Sequence, residues 1–262
     1  MEYDPIKDKV ERAISLFPVL RRLFYMTMDT FLLRQGYVKR EIKAWLEQKE
    51  GTGFYDAGAG FCQYSWFVLR NYPQARVFAT DLKTDYLRSF GSFLEDQDKG
   101  RFGFQSADLQ SFVPARKYDM AVAIDIMEHI EDDVAVLKNF QEALVPGGIL
   151  IISTPSDTDE AAKFTEEHVR PGYNKQALET KLREAGFKIE KSIYSYGKFG
   201  SGAWKLLIKI PLELREKKLL PLLLIYLPVI FPFALLLMKL DMKMNNQTGT
   251  GIIVVARKTK VL

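Results

Sequence analysis

The sequence has little cysteine, little histidine and no long run of one charge. Cys62 is the only cysteine among 262 residues, so no disulfide can form within the chain, and we expect a cytoplasmic protein. The 37 basic and 33 acidic residues give a net charge of +4 and are interspersed, which argues against a nucleic-acid partner. The first twelve residues are charged where a secretory signal has its apolar stretch, so export by that route is not expected.

The middle of the chain alternates short apolar runs with amphipathic helical segments. This alternation predicts parallel strands joined by crossover helices, which is an α/β, doubly wound sheet. The predicted strands are 53–56, 76–81, 102–107, 118–125, 148–153, 187–194 and 251–256. Apolar residues at helical spacing predict helices at 131–144 and 174–185.

No internal repeat or low-complexity linker divides the chain, so we predict one domain with two additions. Residues 14–48 are predicted to form two or more helices, and residues 1–50 are treated as an N-terminal helical cap, either a lid or simple packing. The predicted core comprises residues 51–204 and 245–262. Residues 205–244 are predicted to be an apolar helical insertion before the last strand.

A glycine-containing turn follows the first predicted strand, in the run FYDAGAGFC at 54–62. Gly58 and Gly60 permit close backbone approach to a ligand beyond the strand ends, although tight strand-to-helix turns also use glycine for structure alone. A dinucleotide fingerprint needs a third glycine where this chain has Gln63, and a pyrophosphate is repelled by Asp56. A nicotinamide oxidoreductase is therefore disfavoured.

Acidic residues end several successive strands. Asp81 lies 21 residues beyond Gly60, where a carboxylate can accept two hydrogen bonds from a ribose diol. Asp108 ends the third strand, where it can meet an exocyclic amine while Leu109 packs on a purine face. Asp125 ends the fourth strand. Each carboxylate alone is typical of a helix cap, but the series after a glycine turn predicts one shared crevice.

Residues 54–155 resemble the class I S-adenosylmethionine-dependent methyltransferases, especially the small-molecule group that includes the ubiquinone- and menaquinone-type enzymes. The run LVPGGIL at 144–150 and the strand at 251–256 resemble the same family. The resemblance implies a Rossmann-like, seven-stranded sheet with an antiparallel last strand, and S-adenosyl-L-methionine as cofactor. It implies that the glycine loop lies at the methionine moiety, Asp81 at the ribose, Asp108 at the adenine and Asp125 beside the methyl. The implied cofactor-binding residues are Asp56, Gly58, Ala59, Gly60, Asp81, Leu82, Asp108, Leu109, Asp125 and Ile126.

The sequence has two histidines, and both border the expected acceptor site. An acidic acceptor has to be deprotonated for in-line methyl transfer, and histidine titrates near neutrality. We therefore predict that His129 or His168 acts as, or orients, a general base. The structural alternatives are a helix cap for His129 and a loop contact for His168.

We expect no metal at this site. The alternative is a divalent ion held by Asp125, Glu128 and His129, which have the i, i+3, i+4 spacing of the ligands in some quinone-precursor methyltransferases. Loss of activity on exhaustive chelation would favour that alternative.

A run of twenty residues without a charge occupies 219–238. Its length suits a membrane span, but three prolines predict interruptions, and the strand at 251–256 has to return to the sheet. We predict short apolar helices that lie in a membrane interface, roof an apolar substrate pocket, or pack within the protein or a dimer. Basic residues flank the run and suit an anionic membrane surface. They are Lys205, Lys209, Arg215, Lys217, Lys218, Lys239 and Lys243.

The predicted function is methyl transfer from S-adenosyl-L-methionine to a small or lipid-like hydrophobic acceptor, at oxygen. C-methylation of a quinone-like ring is an alternative, because the acceptor atom leaves little trace in the sequence. The second alternative is a noncatalytic, membrane-associated protein with a cofactor-binding fold. The membrane interpretation places a cytoplasmic protein peripherally at the inner membrane face.

Overall fold

The computed structural model describes residues 5–47, 52–158, 169–216 and 219–259. Within these residues, seven strands form one sheet in the order β3-β2-β1-β4-β5-β7-β6. Six strands are parallel, and β7 is antiparallel to both of its neighbours. The strands are β1 Gly53–Ala57, β2 Arg76–Asp81, β3 Phe102–Ser106, β4 Tyr118–Ile124, β5 Leu144–Pro155, β6 Phe187–Ser195 and β7 Gly251–Lys258. The predicted doubly wound sheet with an antiparallel last strand is confirmed.

Helices connect most of the strands. The helices are α1 Pro5–Ser15, α2 Pro18–Phe31, α3 Leu33–Leu46, α4 Gln63–Asn71, α5 Thr84–Phe93, α6 Asp96–Lys99, α7 Asp133–Ala143, α8 Lys175–Glu184, α9 Lys198–Trp204, α10 Ile210–Glu216 and α11 Leu220–Lys243. A short 3-10 turn covers Met127–His129, and a π-helical segment, Lys205–Lys209, joins α9 to α10. Helix α7 begins where the Asp132 side chain caps the Ala135 N–H at 2.9 Å.

Both faces of the sheet are apolar, because the central strands are covered on each side. Along β4, Val122 lies in one hydrophobic core, whereas Ala121 and Ala123 lie in the other. The first core includes side chains from α3, α4, α5 and α11, and the second includes side chains from α7 and α8. This two-sided burial explains why the strands read as continuous apolar runs rather than alternating ones.

The sheet has a topological switch point between β1 and β4. From β1 the chain proceeds outward through β2 and β3, and from β4 it proceeds the other way to β5. In such sheets the crossover helices diverge at the switch point and leave a crevice beyond the carboxyl ends of the strands. The residues that follow β1, β2 and β4 are therefore placed at the edge where ligands bind.

Strand β5 is longer than predicted. Pairing begins at Leu144, opposite Tyr118, and the register then shifts before Ile149 pairs with Met120. The turn signal Pro-Gly-Gly at 146–148 was expected to separate helix from strand. In the structure it falls inside an irregular stretch of the strand, because Gly147 adopts a positive φ of 80° there.

The apolar insertion contains one long helix instead of the predicted short ones. Helix α11 spans 24 residues, with Pro221 in its first turn and Pro228 and Pro232 inside it. The two internal prolines are exposed and four residues apart, so both lie on one exposed side of the helix. On the other side, Ala234 and Met238 are buried in the first core. The division into cap, core and insertion stays a prediction.

Candidate active site

The loop after β1 is held by backbone hydrogen bonds to the neighbouring strand. The N–H groups of Gly58 and Ala59 donate to the Thr80 carbonyl at 2.8 and 2.9 Å. Gly58 and Gly60 have positive φ values of 71° and 50°, which glycine adopts without strain. A Cβ on Gly58 would lie 2.7 Å from Ile126 Cγ1, whereas one on Gly60 would meet nothing within 4 Å. At Gly58 the loop therefore packs against Ile126, which follows β4, whereas at Gly60 the space beside the loop is open.

Asp81 connects this loop to the end of β2. Its Oδ2 accepts a hydrogen bond from the Gly60 N–H at 2.8 Å, and its Oδ1 accepts one from the Lys83 N–H at 2.9 Å. The residue is 5% exposed, while the following Leu82 is 49% exposed. Two backbone donors therefore fix the carboxylate at the crevice.

Asp56 lies beneath the loop, with its contacts on the following helix. Its Oδ2 accepts hydrogen bonds from the Ser65 N–H at 3.0 Å and from Ser65 Oγ at 2.6 Å, in the first turn of α4. Burial raises the pKa of the Asp56 carboxyl to about 7, and the two Ser65 bonds oppose this shift. Direct contact of Asp56 with a cofactor stays a prediction.

Asp108 and Leu109 follow β3 at the same edge of the sheet. The Ala107 N–H donates to the Asp81 carbonyl at 3.2 Å, so the two strand ends are joined there. The exposed Asp108 carboxylate accepts a hydrogen bond from the Gln110 N–H at 2.9 Å. Leu109 is 8% exposed, and its carbonyl accepts from Asn139 Nδ2 at 2.8 Å. This pair is positioned at the outer side of the crevice.

Asp125, directly after β4, has a left-handed backbone with a φ of 50°. Residues other than glycine rarely adopt this conformation, although Asp does so more readily than most, and such residues cluster at functional sites. The Asp125 carboxylate pairs with the guanidinium of Arg34 from α3. Arg34 could not be found from the sequence, because its partner lies 91 residues further along the chain and no local pattern marks it.

The N-terminal helices cover the loop and the end of β2. Asp8 of α1 accepts hydrogen bonds from Tyr86 Oη at 2.6 Å and Lys83 Nζ at 3.2 Å, and these contacts hold the pKa of its carboxyl below the usual value. Tyr25 of α2 donates its hydroxyl to the Phe61 carbonyl at 2.6 Å. These contacts join the helices to the loop, and the choice between a lid and simple packing stays a prediction.

His129 ends the 3-10 turn that follows β4 and is half-buried. Its N–H donates to the Ile126 carbonyl at 3.0 Å. The neighbouring Glu128 is buried, accepts from Thr154 Oγ1 at 3.1 Å, and has its pKa raised by burial. His168, the second candidate base, lies outside the described residues.

The alternative metal site receives no support from the described part of the chain. There, no group of three or more His, Cys, Asp and Glu side chains has an arrangement that could hold a metal ion. Asp125 faces Arg34, and Glu128 is bonded to Thr154, so the side chains proposed as ligands have other contacts.

Comparison with known proteins gives matches to methyltransferases. Residues 55–150 match a family model described as a methyltransferase domain. Over 121 residues the chain is 28% identical to trans-aconitate 2-methyltransferase of Azoarcus sp. (strain BH72), covering 46% of each chain. Over 126 residues it is 25% identical to ubiquinone biosynthesis O-methyltransferase of Psychrobacter cryohalolentis, covering 47% of this chain and 48% of that protein. The chain thus spans about half the length of the curated relatives it matches.

The fold is also similar to that of solved methyltransferase structures. The structure of coclaurine N-methyltransferase bound to N-methylheliamine and SAH superposes with a TM-score of 0.56. The two chains are 14% identical, and the match covers 84% of this chain and 70% of the other. At this level of identity the similarity shows the fold.

The strand order, the antiparallel seventh strand and the family match over residues 55–150 are those of a class I methyltransferase domain. It is of the S-adenosylmethionine-dependent type, so S-adenosyl-L-methionine is its cofactor. The crevice fits such a group in two respects. Gly60 leaves open space beside the loop, and two backbone N–H groups hold the Asp81 carboxylate, a group of the type that accepts hydrogen bonds from hydroxyls, at the same edge.

Proposed function

We propose that the protein transfers a methyl group from S-adenosyl-L-methionine to a small acceptor, which is hydrophobic or lipid-like and is methylated at oxygen. The observation that carries the proposal is the convergence of the glycine loop, Asp81 and Asp125 on the switch point. Relatives named for trans-aconitate and for ubiquinone biosynthesis support a small-molecule acceptor.

The cofactor, when bound, supplies a methyl group on a positively charged sulfur. In our proposal the loop from Asp56 to Gly60 approaches the methionine moiety, and Asp81 accepts hydrogen bonds from the ribose. Asp108 and Leu109 flank the adenine, with Leu82 beside the ribose and Asp125 and Ile126 beside the methyl. Support comes from the shared strand edge, which is where ligands bind in doubly wound sheets.

A hydroxyl acceptor needs its proton removed, and we propose His129 for that role among the described residues. It lies four residues beyond Asp125, in the turn that follows β4, and an imidazole is the side chain that most often acts as a general base. The test is single-turnover transfer of labelled methyl to a lipid extract across pH, using His129→Gln and His168→Gln. Loss of the pH dependence in one variant is expected, and unchanged rates in both would exclude a histidine base.

The hydrophobic nature of the acceptor is inferred from the exposed face of α11. Its stripe of five apolar side chains is 50% to 71% exposed. Those residues are Leu222, Ile225, Val229, Phe233 and Leu236. An 18-residue window within Pro221–Lys243 has a mean hydropathy of 2.4 and is only 11% buried, so by length and composition the helix could cross a membrane. One such helix is weak evidence for a span.

We infer that residues 205–244 lie in a membrane interface and do not cross it. Asp241, near the end of α11, accepts hydrogen bonds from Tyr37 Oη at 2.9 Å and from the Gly200 N–H at 2.8 Å, which tie the helix to the domain. The chain then returns to the sheet as β7. The exposed Lys239 and Lys243 continue the apolar stripe and suit anionic headgroups. This inference places a cytoplasmic protein peripherally at the inner membrane face.

Flotation with phosphatidylglycerol-containing vesicles tests the membrane contact. The double variant Ile225→Glu/Val229→Glu should lose most vesicle binding, because two charges would enter the apolar stripe. Val134→Glu is a matched control, since Val134 is exposed on α7, far along the chain from the insertion. Equal flotation of all three proteins, or failure of the unmodified protein to float, would contradict the proposal.

The chemistry of the product separates the alternatives. A labelled product that carries its methyl group in an ether or ester linkage supports transfer to oxygen. A methyl group bonded to a ring carbon indicates C-methylation. A protein that binds no S-adenosylhomocysteine would favour the noncatalytic interpretation.

A further inference from the structure

Arg34 reaches the switch point from the N-terminal helices. Its guanidinium pairs with the Asp125 carboxylate, and the two side chains are 27% and 28% exposed. Its backbone N–H donates to Tyr196 Oη at 3.2 Å, which joins α3 to the end of β6. The pair therefore spans the opening of the crevice and is accessible to a small molecule.

Tyr64 lies beside the Arg34 guanidinium. Burial raises the pKa of Tyr64, a residue that is 1% exposed, whereas the charge of Arg34 and a side-chain hydrogen bond with it oppose that rise. Tyr64 and Asp125 therefore both contact the guanidinium, yet the Arg34 side chain is still 27% exposed. An incoming acceptor can reach that exposed part.

The position of the pair matters for methyl transfer. In the proposed cofactor arrangement, Asp125 lies beside the positively charged sulfur, and the acceptor has to approach the methyl from the opposite side. The sulfonium and the guanidinium then compete for one carboxylate. Because a guanidinium has five N–H donors in a planar fork, Arg34 can turn part of that fork to an incoming anion.

We propose that Arg34 binds an anionic oxygen of the acceptor, a carboxylate or an ionised hydroxyl, and that Asp125 is its partner in the resting state. The inference rests on the proposed function, since it takes the acceptor's approach from the cofactor arrangement. It narrows the acceptor to an apolar molecule that carries such an oxygen. Charge-assisted pairing with Arg34 would hold that oxygen at the mouth of the crevice.

The binding of matched probes to the full chain tests this assignment. Octanoate and octanol differ in the anionic group, as do 4-nitrophenolate and 4-nitroanisole at pH 8. Calorimetric titration is done on protein saturated with S-adenosylhomocysteine, so no methyl transfer occurs. We expect the anion of at least one pair to bind at least tenfold more tightly than its neutral partner. The first pair reports a carboxylate site and the second an ionised-hydroxyl site.

Substitutions then assign the preference to Arg34. Arg34→Gln should abolish the preference for the anion, and Arg34→Lys should keep part of it, because the charge remains without the fork. Arg40→Gln is the matched control on the same helix, since Arg40 donates to the Met242 carbonyl at 2.7 Å. That variant should keep the full preference. Thermal unfolding of each variant checks that it folds.

A second variant tests whether Asp125 is the partner of Arg34 in the resting state. This titration is done without S-adenosylhomocysteine. Asp125→Asn should free Arg34 and raise the affinity for the preferred anion at least fivefold over the unmodified apoprotein. An unchanged affinity, or an anion preference that survives in Arg34→Gln, would overturn the assignment. Failure of the unmodified protein to bind S-adenosylhomocysteine would instead contradict the proposed function. The two failures are therefore distinguishable.

Discussion

The carboxylate of Asp81 accepts a hydrogen bond from the backbone N–H of Gly60 at 2.8 Å, which joins the loop after β1 to the end of β2. The second oxygen is held by the Lys83 N–H at 2.9 Å. Because the backbone sets the orientation of both oxygens, the carboxylate is preorganised before any ligand arrives. The affinity for the cofactor should therefore depend strongly on this one side chain.

Asp81→Asn should weaken binding of S-adenosylhomocysteine about 10- to 100-fold. Hydrogen bonds to a charged group contribute about 1.5–3 kcal/mol, and the amide replaces one acceptor oxygen with a donor. Isothermal titration calorimetry gives the dissociation constants. Asp96→Asn is the control, since Asp96 forms a surface pair with Lys99 at 2.7 Å. An affinity equal to that of the control would exclude the ribose role of Asp81.

Alanine at the two loop glycines should have unequal effects. Both positions have positive φ, so each substitution should cost about 1–2 kcal/mol of backbone strain. The Cβ at Gly58 would also meet Ile126, at 2.7 Å, whereas the Cβ at Gly60 would enter open space. Gly58→Ala should therefore lower the free energy of unfolding further than Gly60→Ala, by about 1–3 kcal/mol. Equal urea midpoints would show that the loop does not pack against Ile126.

Asp56 should make stability depend on pH. Burial raises the pKa of its carboxyl from the ordinary value of 3.8 to about 7, so the folded state holds the proton more tightly than the unfolded chain does. The free energy of unfolding should fall as pH rises from about 4 to about 7, by at most about 1.4 kcal/mol per pH unit from this group. Asp56→Asn should remove that contribution. Urea unfolding at pH 5 and pH 7 measures it, and identical pH dependence in both proteins would be inconsistent with a raised pKa.

The hydrogen bond of Tyr25 to the Phe61 carbonyl should protect the glycine loop. Tyr25→Phe removes the hydrogen bond to the Phe61 carbonyl, so amide exchange in residues 58–62 should become faster, with little change in the sheet. Tyr226→Phe is the control, because the Tyr226 hydroxyl donates to the Leu206 carbonyl in the insertion. Hydrogen exchange measured by mass spectrometry compares the two. Unchanged exchange in Tyr25→Phe would mean that α2 does not restrain the loop.

The centre of the sheet was predictable because its strands are buried on both faces and read as apolar runs. Predicted and observed bounds of β2 agree at 76–81, since turn signals lie at both ends. The insertion was predicted less well, because proline propensity argued for several short helices. In α11 the internal prolines fall on an exposed face, and burial of Ala234 and Met238 on the opposite face keeps the helix continuous.

Only the part of the candidate site that lies directly after the strand ends could be predicted from the sequence. The glycine loop and the acidic strand ends could be found because parallel strands bring their carboxyl ends to one edge. The pairing of Arg34 with Asp125 and the bonding of Asp8 to Tyr86 join residues 91 and 78 positions apart. Contacts at such separations depend on how the helices dock, and no local pattern encodes that docking.

A crystal structure of the protein with S-adenosylhomocysteine tests the central claim most directly. The account predicts one molecule beyond the carboxyl ends of β1, β2 and β4, with ribose hydroxyls within hydrogen-bonding distance of the Asp81 carboxylate and the sulfur beside Asp125. The account would be contradicted if the molecule bound elsewhere on the chain, or if it bound at this position without contact to the Asp81 carboxylate.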